Sequence, residues 1–162
     1  MKILGVDPGI GCCGMTIVDE NNNIVKSIGV EGAGLEYGKV LYNIKNTVVD
    51  LCKIHGVTDV ACERPMFLGK FRSTSVRPLY MIEGATWLGS YESMVNFQSY
   101  TVSEWRKIVF GSARKEKSED WKKKAVDICE FWSGVKLKHD CAEAYCIAFA
   151  CMREYKEAMK DG

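Results

Sequence analysis

Ile3-Leu4-Gly5-Val6 is an apolar run that ends on Asp7 and then breaks at Pro8-Gly9. An ionised carboxylate beside a strand core needs a partner or a metal, because taking an unpaired charge out of water costs several kcal/mol. Asp7 is therefore the first candidate functional residue. Gly9, Gly11 and Gly14 then spell G-x-G-x-x-G, which in a dinucleotide site must open a helix whose N-terminus holds the pyrophosphate. The chain beyond these glycines is β-branched instead. Gly14-Met15-Thr16-Ile17-Val18-Asp19, a turn at Asn21-Asn22-Asn23, and Ile24 to Val30 read as a hairpin, so the dinucleotide reading is disfavoured.

A chain of 162 residues is expected to fold as one domain spanning 1–162, long enough to build its own core. Hydrophobic content of 47% with 27% charged residues is that of a soluble globular protein. Met1-Lys2 leads into only four apolar residues, so no secretory leader is expected, and no apolar run approaches the ~20 residues of a membrane span. The sequence is of a cytoplasmic type with no membrane partner. Its eight cysteines form no C-x-x-C pair and its histidines are only His55 and His139, so reduced, mostly buried thiols are expected in place of zinc or disulfides. Cys141, Cys146 and Cys151 recur every five residues, which scatters them around a helix.

Val40, Leu41, Ile44, Val48, Leu51 and Cys52 repeat at helical spacing with polar residues opposite, predicting an amphipathic helix that ends near Gly56. Val57 to Cys62 reads as a strand that stops at Glu63, a second carboxylate at a strand end. Met66 to Val76 reads as a loop, and a helix is expected from Pro78 to Val95. Its apolar residues surround most of the cylinder, with only Glu83 and Glu92 charged after Arg77. Such a helix must bury more than one face, against a large core or a partner subunit. Asn96 to Tyr100 reads as a strand. Thr101-Val102-Ser103-Glu104 fits a capping box opening a short helix to Phe110, Ser118 caps another to about Phe131, and a last helix runs from His139 to about Met159. Strands and helices in this order describe an α/β fold with a mixed sheet.

Net charge is only +1, but it is segregated. Residues 64–78 carry four basic side chains, among them Lys70 and Arg72, and no acidic one; residues 105–124 carry eight basic against three acidic. The remainder is net acidic. A basic face of this kind suits phosphates, with Lys107, Arg114, Lys115 and Lys117 as candidate contacts; a solvated helix face is the ordinary alternative. Asp140 and Glu143, at i and i+3, share one face of a helix start, where negative charge is favoured. Asp7, Glu63, Asp140 and Glu143 thus stand at element ends, and hard oxygen ligands suit Mg²⁺ or Mn²⁺.

Ile3-Leu4-Gly5-Val6-Asp7-Pro8-Gly9, Glu63-Arg64-Pro65-Met66-Phe67, Gly111 to Ser118 and His139-Asp140-Cys141-Ala142-Glu143-Ala144 resemble, in order and spacing, the successive motifs of RuvC-type Holliday junction resolvases. The resemblance implies an RNase H-like five-stranded mixed sheet flanked by helices, a homodimer, and Mg²⁺-dependent nicking of two strands of a four-way junction in recombination and repair, with Mn²⁺ substituting. The cell would be a bacterium or a phage-infected host. By position the catalytic and metal-binding carboxylates would be Asp7, Glu63, Asp140 and Glu143, the last standing where the family more often has Asp. Phe67 matches the family's aromatic that stacks on bases at the junction centre. Trp87 and Tyr91, one turn apart, are the expected core of the dimer interface. Forks and other branched DNA remain open as substrates. Two other classes compete with this reading: an actin-like phosphotransferase half-domain, which ATP turnover would reveal, and a non-catalytic nucleic-acid module, which would need the basic face but not four acids.

Overall fold

The computed structural model describes residues 1–66, 73–111 and 118–160. Strand β1 (Lys2–Asp7) lies at the centre of a five-stranded sheet of order β3-β2-β1-β4-β5, formed with β2 (Cys12–Asp19), β3 (Ile24–Glu31), β4 (Asp59–Arg64) and β5 (Asn96–Thr101). The hairpin partners are antiparallel, while β4 and β5 run parallel to β1. The glycines after Asp7 therefore lead into a strand and open no helix, as the β-branched residues predict.

Alternation along β1 divides the interior in two. Leu4 and Val6, with Met15, Ile17, Val60 and Cys62, face helices α1 (Tyr37–His55) and α2 (Ser73–Glu92). Ile3, with Val18 and Ala61, faces α3 (Val102–Phe110), α4 (Ser118–Ser133) and α5 (His139–Ala158). The same period of two turns Gly5 and then Asp7 toward α5, and turns Glu63, two residues beyond Ala61, to that side as well.

Helix α5 lies against the sheet at backbone contact. A Cβ on Gly5 would come within 1.9 Å of the Ala144 carbonyl oxygen, and one on Gly14 within 2.3 Å of that of Asp140. Only glycine permits this approach, and it brings the first turn of α5 beside the end of β1. Thr16 Oγ1 ties the same turn down by donating to the Cys141 carbonyl at 2.8 Å.

Helix α1 ends at Gly56, and the capping box is present: Thr101 Oγ1 accepts from Glu104 N–H while the Glu104 carboxylate accepts from Thr101 N–H. Helix α2 departs from expectation by starting at Ser73, with Pro78 inside it. Proline this near a helix start forfeits only one early N–H bond, to the carbonyl four residues back. Residues 73–76 are thus helical where a loop was expected. The eight cysteines are all free, six of them buried, and among the described residues no helix is long and apolar enough to cross a membrane.

Candidate active site

Asp7, Asp140 and Glu143 each offer a carboxylate oxygen within 4.8 Å of the others. Two come from one turn of α5 and the third from the end of β1, so the close docking at Gly5 and Gly14 is what assembles them. Glu63 joins from β4. Its neighbour Cys62 pairs with Val6 across the parallel ladder, which puts Glu63 level with Asp7 at the carboxyl ends of two adjacent parallel strands, where open α/β sheets place their ligands. It stands apart from the trio of converging oxygens, and its Oε2 accepts a hydrogen bond from Trp105 Nε1 at 2.8 Å.

The four acids disturb one another. Burial, and then the charges of Glu63, Glu143 and Asp140, push the Asp7 carboxyl well above its ordinary range, against a smaller opposing pull from Lys122. Burial pushes Glu63 up to about 7, with the Trp105 hydrogen bond and Arg106 opposing and Glu143 adding to the rise. Burial also raises Glu143, countered by Lys122 and Arg106. Among the described residues the nearest cations stop short of hydrogen-bond distance: Arg106 lies 3.7 Å from Glu143 Oε1, and Lys122 lies 3.9 Å from Asp140 Oδ1. The carboxylates are thus concentrated, desolvated and, among the described residues, incompletely matched by cations. Such an all-oxygen set fits a hard divalent cation.

Trp105, Arg106 and Lys122 were not singled out from the sequence. Arg106 stacks over the rings of Trp105 and Trp121 at 5.2 and 4.8 Å, which holds its guanidinium behind the acids. Burial lowers its pKa, and Glu143, Glu63 and Asp7 work against that. Two Trp-basic couplets, Trp105-Arg106 and Trp121-Lys122, are the only sequence signal that could have found this layer.

The other expected site residues are scattered. Lys107 lines a cleft with Glu104, Glu154 and Glu157, away from the carboxylates that Arg106 faces. His139 is exposed at the start of α5. Trp87 and Tyr91 are 62% and 79% exposed on α2, the first stacked on Phe97. Phe67, Lys70, Arg72, Arg114, Lys115 and Lys117 lie outside the described residues.

The family model "Crossover junction endodeoxyribonuclease RuvC" matches residues 3–149. RuvC of Caldanaerobacter subterraneus subsp. tengcongensis is 30% identical over 123 residues, covering 74% of this chain and 73% of that protein. RuvC of Campylobacter jejuni subsp. jejuni serotype O:6 is 32% identical over 127 residues, covering 74% and 76%. In three dimensions the chain is similar to Thermus thermophilus RuvC, at a TM-score of 0.80 and 17% identity over 97% of both chains. It is similar also to that protein in complex with Holliday junction substrate, at 0.81 and 17% over 97% of this chain and 96% of the other. These likenesses and the five-stranded sheet make the fold RNase H-like, and the chain belongs to the RuvC family of crossover junction endodeoxyribonucleases.

Proposed function

We propose that this protein is a structure-selective DNA endonuclease that resolves Holliday junctions by hydrolysing one phosphodiester in each of two opposed strands. The convergence of Asp7, Asp140 and Glu143 at one strand end carries the reading, because a module that only binds DNA has no use for desolvated, mutually repelling acids. Those three residues and Glu63 would hold Mg²⁺, or Mn²⁺ in its place. A divalent ion bound there supplies Lewis-acid stabilisation of the charge that develops on the phosphodiester oxygens.

The chain's own side chains account for the rest of the site. Asp7 feels the charges of Glu63, Glu143 and Asp140 together. Arg106, sandwiched by indoles, limits the repulsion between Glu143 and Glu63. Lys122, 43% exposed at its side chain, stands on the open side of the cluster, where it can meet an incoming phosphate. The DNA contacts proposed for Phe67, Lys70, Arg72, Arg114, Lys115 and Lys117 flank this opening in sequence, coming after Glu63 and before Lys122.

Two cuts call for two such sites. A four-way junction has two-fold pseudo-symmetry, which a C2 dimer matches. Helix α2 supports an isologous interface: Trp87, Leu88 and Tyr91 face outward while Thr86 and Ser90 face inward, the reverse of a surface helix. The setting proposed is the cytoplasm of a bacterium or a phage-infected cell. Incubating labelled four-way junction, fork and linear duplex with Mg²⁺ tests the function. Cutting of the junction in preference to linear duplex is expected, and uniform cutting of all three, or none, contradicts it.

A further inference from the structure

Glu63 lies beside the acidic trio, yet its carboxylate is turned to an indole. Trp105 has no solvent exposure, and its Nε1–H donates to Glu63 Oε2 at 2.8 Å. We propose that Trp105 is a positioning residue that fixes the Glu63 carboxylate for metal binding, so that the affinity of the Glu63-dependent cation site is set by this one hydrogen bond. The inference rests on the reading of the acidic cluster as a metal site.

Three observations support it. Glu63 has three side-chain torsions to order, and its like-charged neighbours Asp7 and Glu143 favour its swinging away from them. A buried donor that fixes one carboxylate oxygen opposes that swing and leaves Oε1 to face a cation. Trp105 is itself rigidly placed. The capping box at Thr101 and Glu104 starts its helix four residues upstream, and the rung pairing Glu63 with Tyr100 sets β4 and the chain leading into α3 in register. Finally, the adjacent residue performs a different task, since Arg106 lies against Glu143. Helix α3 thus supports two of the acids separately, through consecutive residues. An indole is a donor only, so a buried Trp must find an acceptor. Here the acceptor is a carboxylate oxygen of the active-site strand β4.

The test is Mn²⁺ binding to the full chain without DNA, measured by calorimetry. Trp105→Phe keeps an aromatic side chain, smaller than the indole, and loses the donor. Hydrogen-bond partners of metal ligands typically carry about 10- to 100-fold in metal affinity. Trp105→Phe should therefore weaken the Glu63-dependent site by about that factor. Glu63→Gln should weaken it similarly, and the double variant should be no worse than Glu63→Gln alone. Wild-type affinity in Trp105→Phe, or losses that add in the double variant, overturns the proposal. A wild-type protein that binds no Mn²⁺ would instead bring down the metal-site reading beneath it. A second measurement does not depend on how Trp105→Phe folds. Among the four tryptophans, one indole N–H resonance of the wild-type protein should shift on Glu63→Gln substitution and again on Mg²⁺ titration, and no responding resonance would refute the contact.

Discussion

Helices α2 and α5 are each twenty residues long, and both read as largely apolar in sequence, yet they are used in opposite ways. Every residue of α5 from Ala142 to Met152 is buried, with the sheet beneath and α3 and α4 beside it. Helix α2 buries the side chains of Ile82, Thr86 and Ser90, two of the three polar, and presents Trp87, Leu88 and Tyr91 to solvent. Thr86 and Ser90 satisfy their hydroxyls on the carbonyls four residues back, at 2.9 Å each, so the polar inner face leaves neither hydroxyl unpaired. Apolarity on several faces shows that a helix needs several surfaces. It does not show whether those surfaces belong to the same subunit. In α5 they do, and the helix becomes the frame of the acidic site. In α2 one surface is missing from the subunit, and the proposed dimer provides it.

The largest effects should come from disturbing the α5 end of this comparison. Asp7→Asn, Glu63→Gln and Asp140→Asn should each reduce cleavage to background in Mg²⁺ while junction binding persists or tightens, since each removes a proposed metal ligand and a negative charge but no proposed phosphate contact. Gel-shift and cleavage assays on one preparation separate the two. Gly5→Ala should act on the same helix through packing. Its Cβ would strike the Ala144 carbonyl, and overpacking of this kind costs about 1–3 kcal/mol, occasionally more. Thermal unfolding would show it, and cleavage should fall with the displaced first turn.

Next come changes to α2. Tyr91→Glu, at a side chain 79% exposed in the subunit, should leave the fold intact and shift the mass seen in sedimentation from about twice 18.2 kDa to one chain. An unaltered dimer would place the interface elsewhere.

Smaller effects concern pH. Asp7, Glu63 and Glu143 all have folded-state pKa values above their unfolded ones. The metal-free folded protein therefore holds more protons than the unfolded chain does between those values. Their contribution to stability is present at low pH and is lost as pH rises through the folded values, for Glu63 between 4.5 and about 7. In EDTA, Glu63→Gln should raise the melting temperature relative to wild type at pH 8 and do so far less at pH 4, with Mg²⁺ narrowing the gap. Smaller still, Glu143→Asp keeps the carboxylate and should remain active. Lys107→Gln should change the salt dependence of binding by about one unit at most, because three glutamates share its cleft.

How much of this is legible in the sequence depends on the physics of each element. The hairpin, α1, the capping box and the ladder of apolar strands are readable because local periodicity and turn chemistry determine them. Asp7 and Glu63 are readable because a carboxylate at the end of an apolar run is costly wherever the chain goes afterward, and Asp140 and Glu143 because their i, i+3 spacing puts both on one face of a helix start. The start of α2 is not, since proline marks a helix start in statistics but is tolerated a turn further in. Trp105 and Arg106 escape a sequence reading because their importance lies in what they touch across 42 and 37 residues of sequence, in Glu63 and Glu143 respectively. Neither contact leaves a local pattern. The inward polar stripe of α2 at Thr86 and Ser90 is visible as letters, but its direction depends on which face meets α1.

The most direct measurement is incision of a supercoiled plasmid that extrudes a cruciform, with products sorted into linear and nicked circles. Two acidic sites joined through α2 should convert it to linear product within one binding event, Tyr91→Glu should yield mainly nicked circles, and Asp7→Asn should yield neither. Linear product from a Tyr91→Glu monomer, or undiminished cutting by Asp7→Asn, would contradict the account.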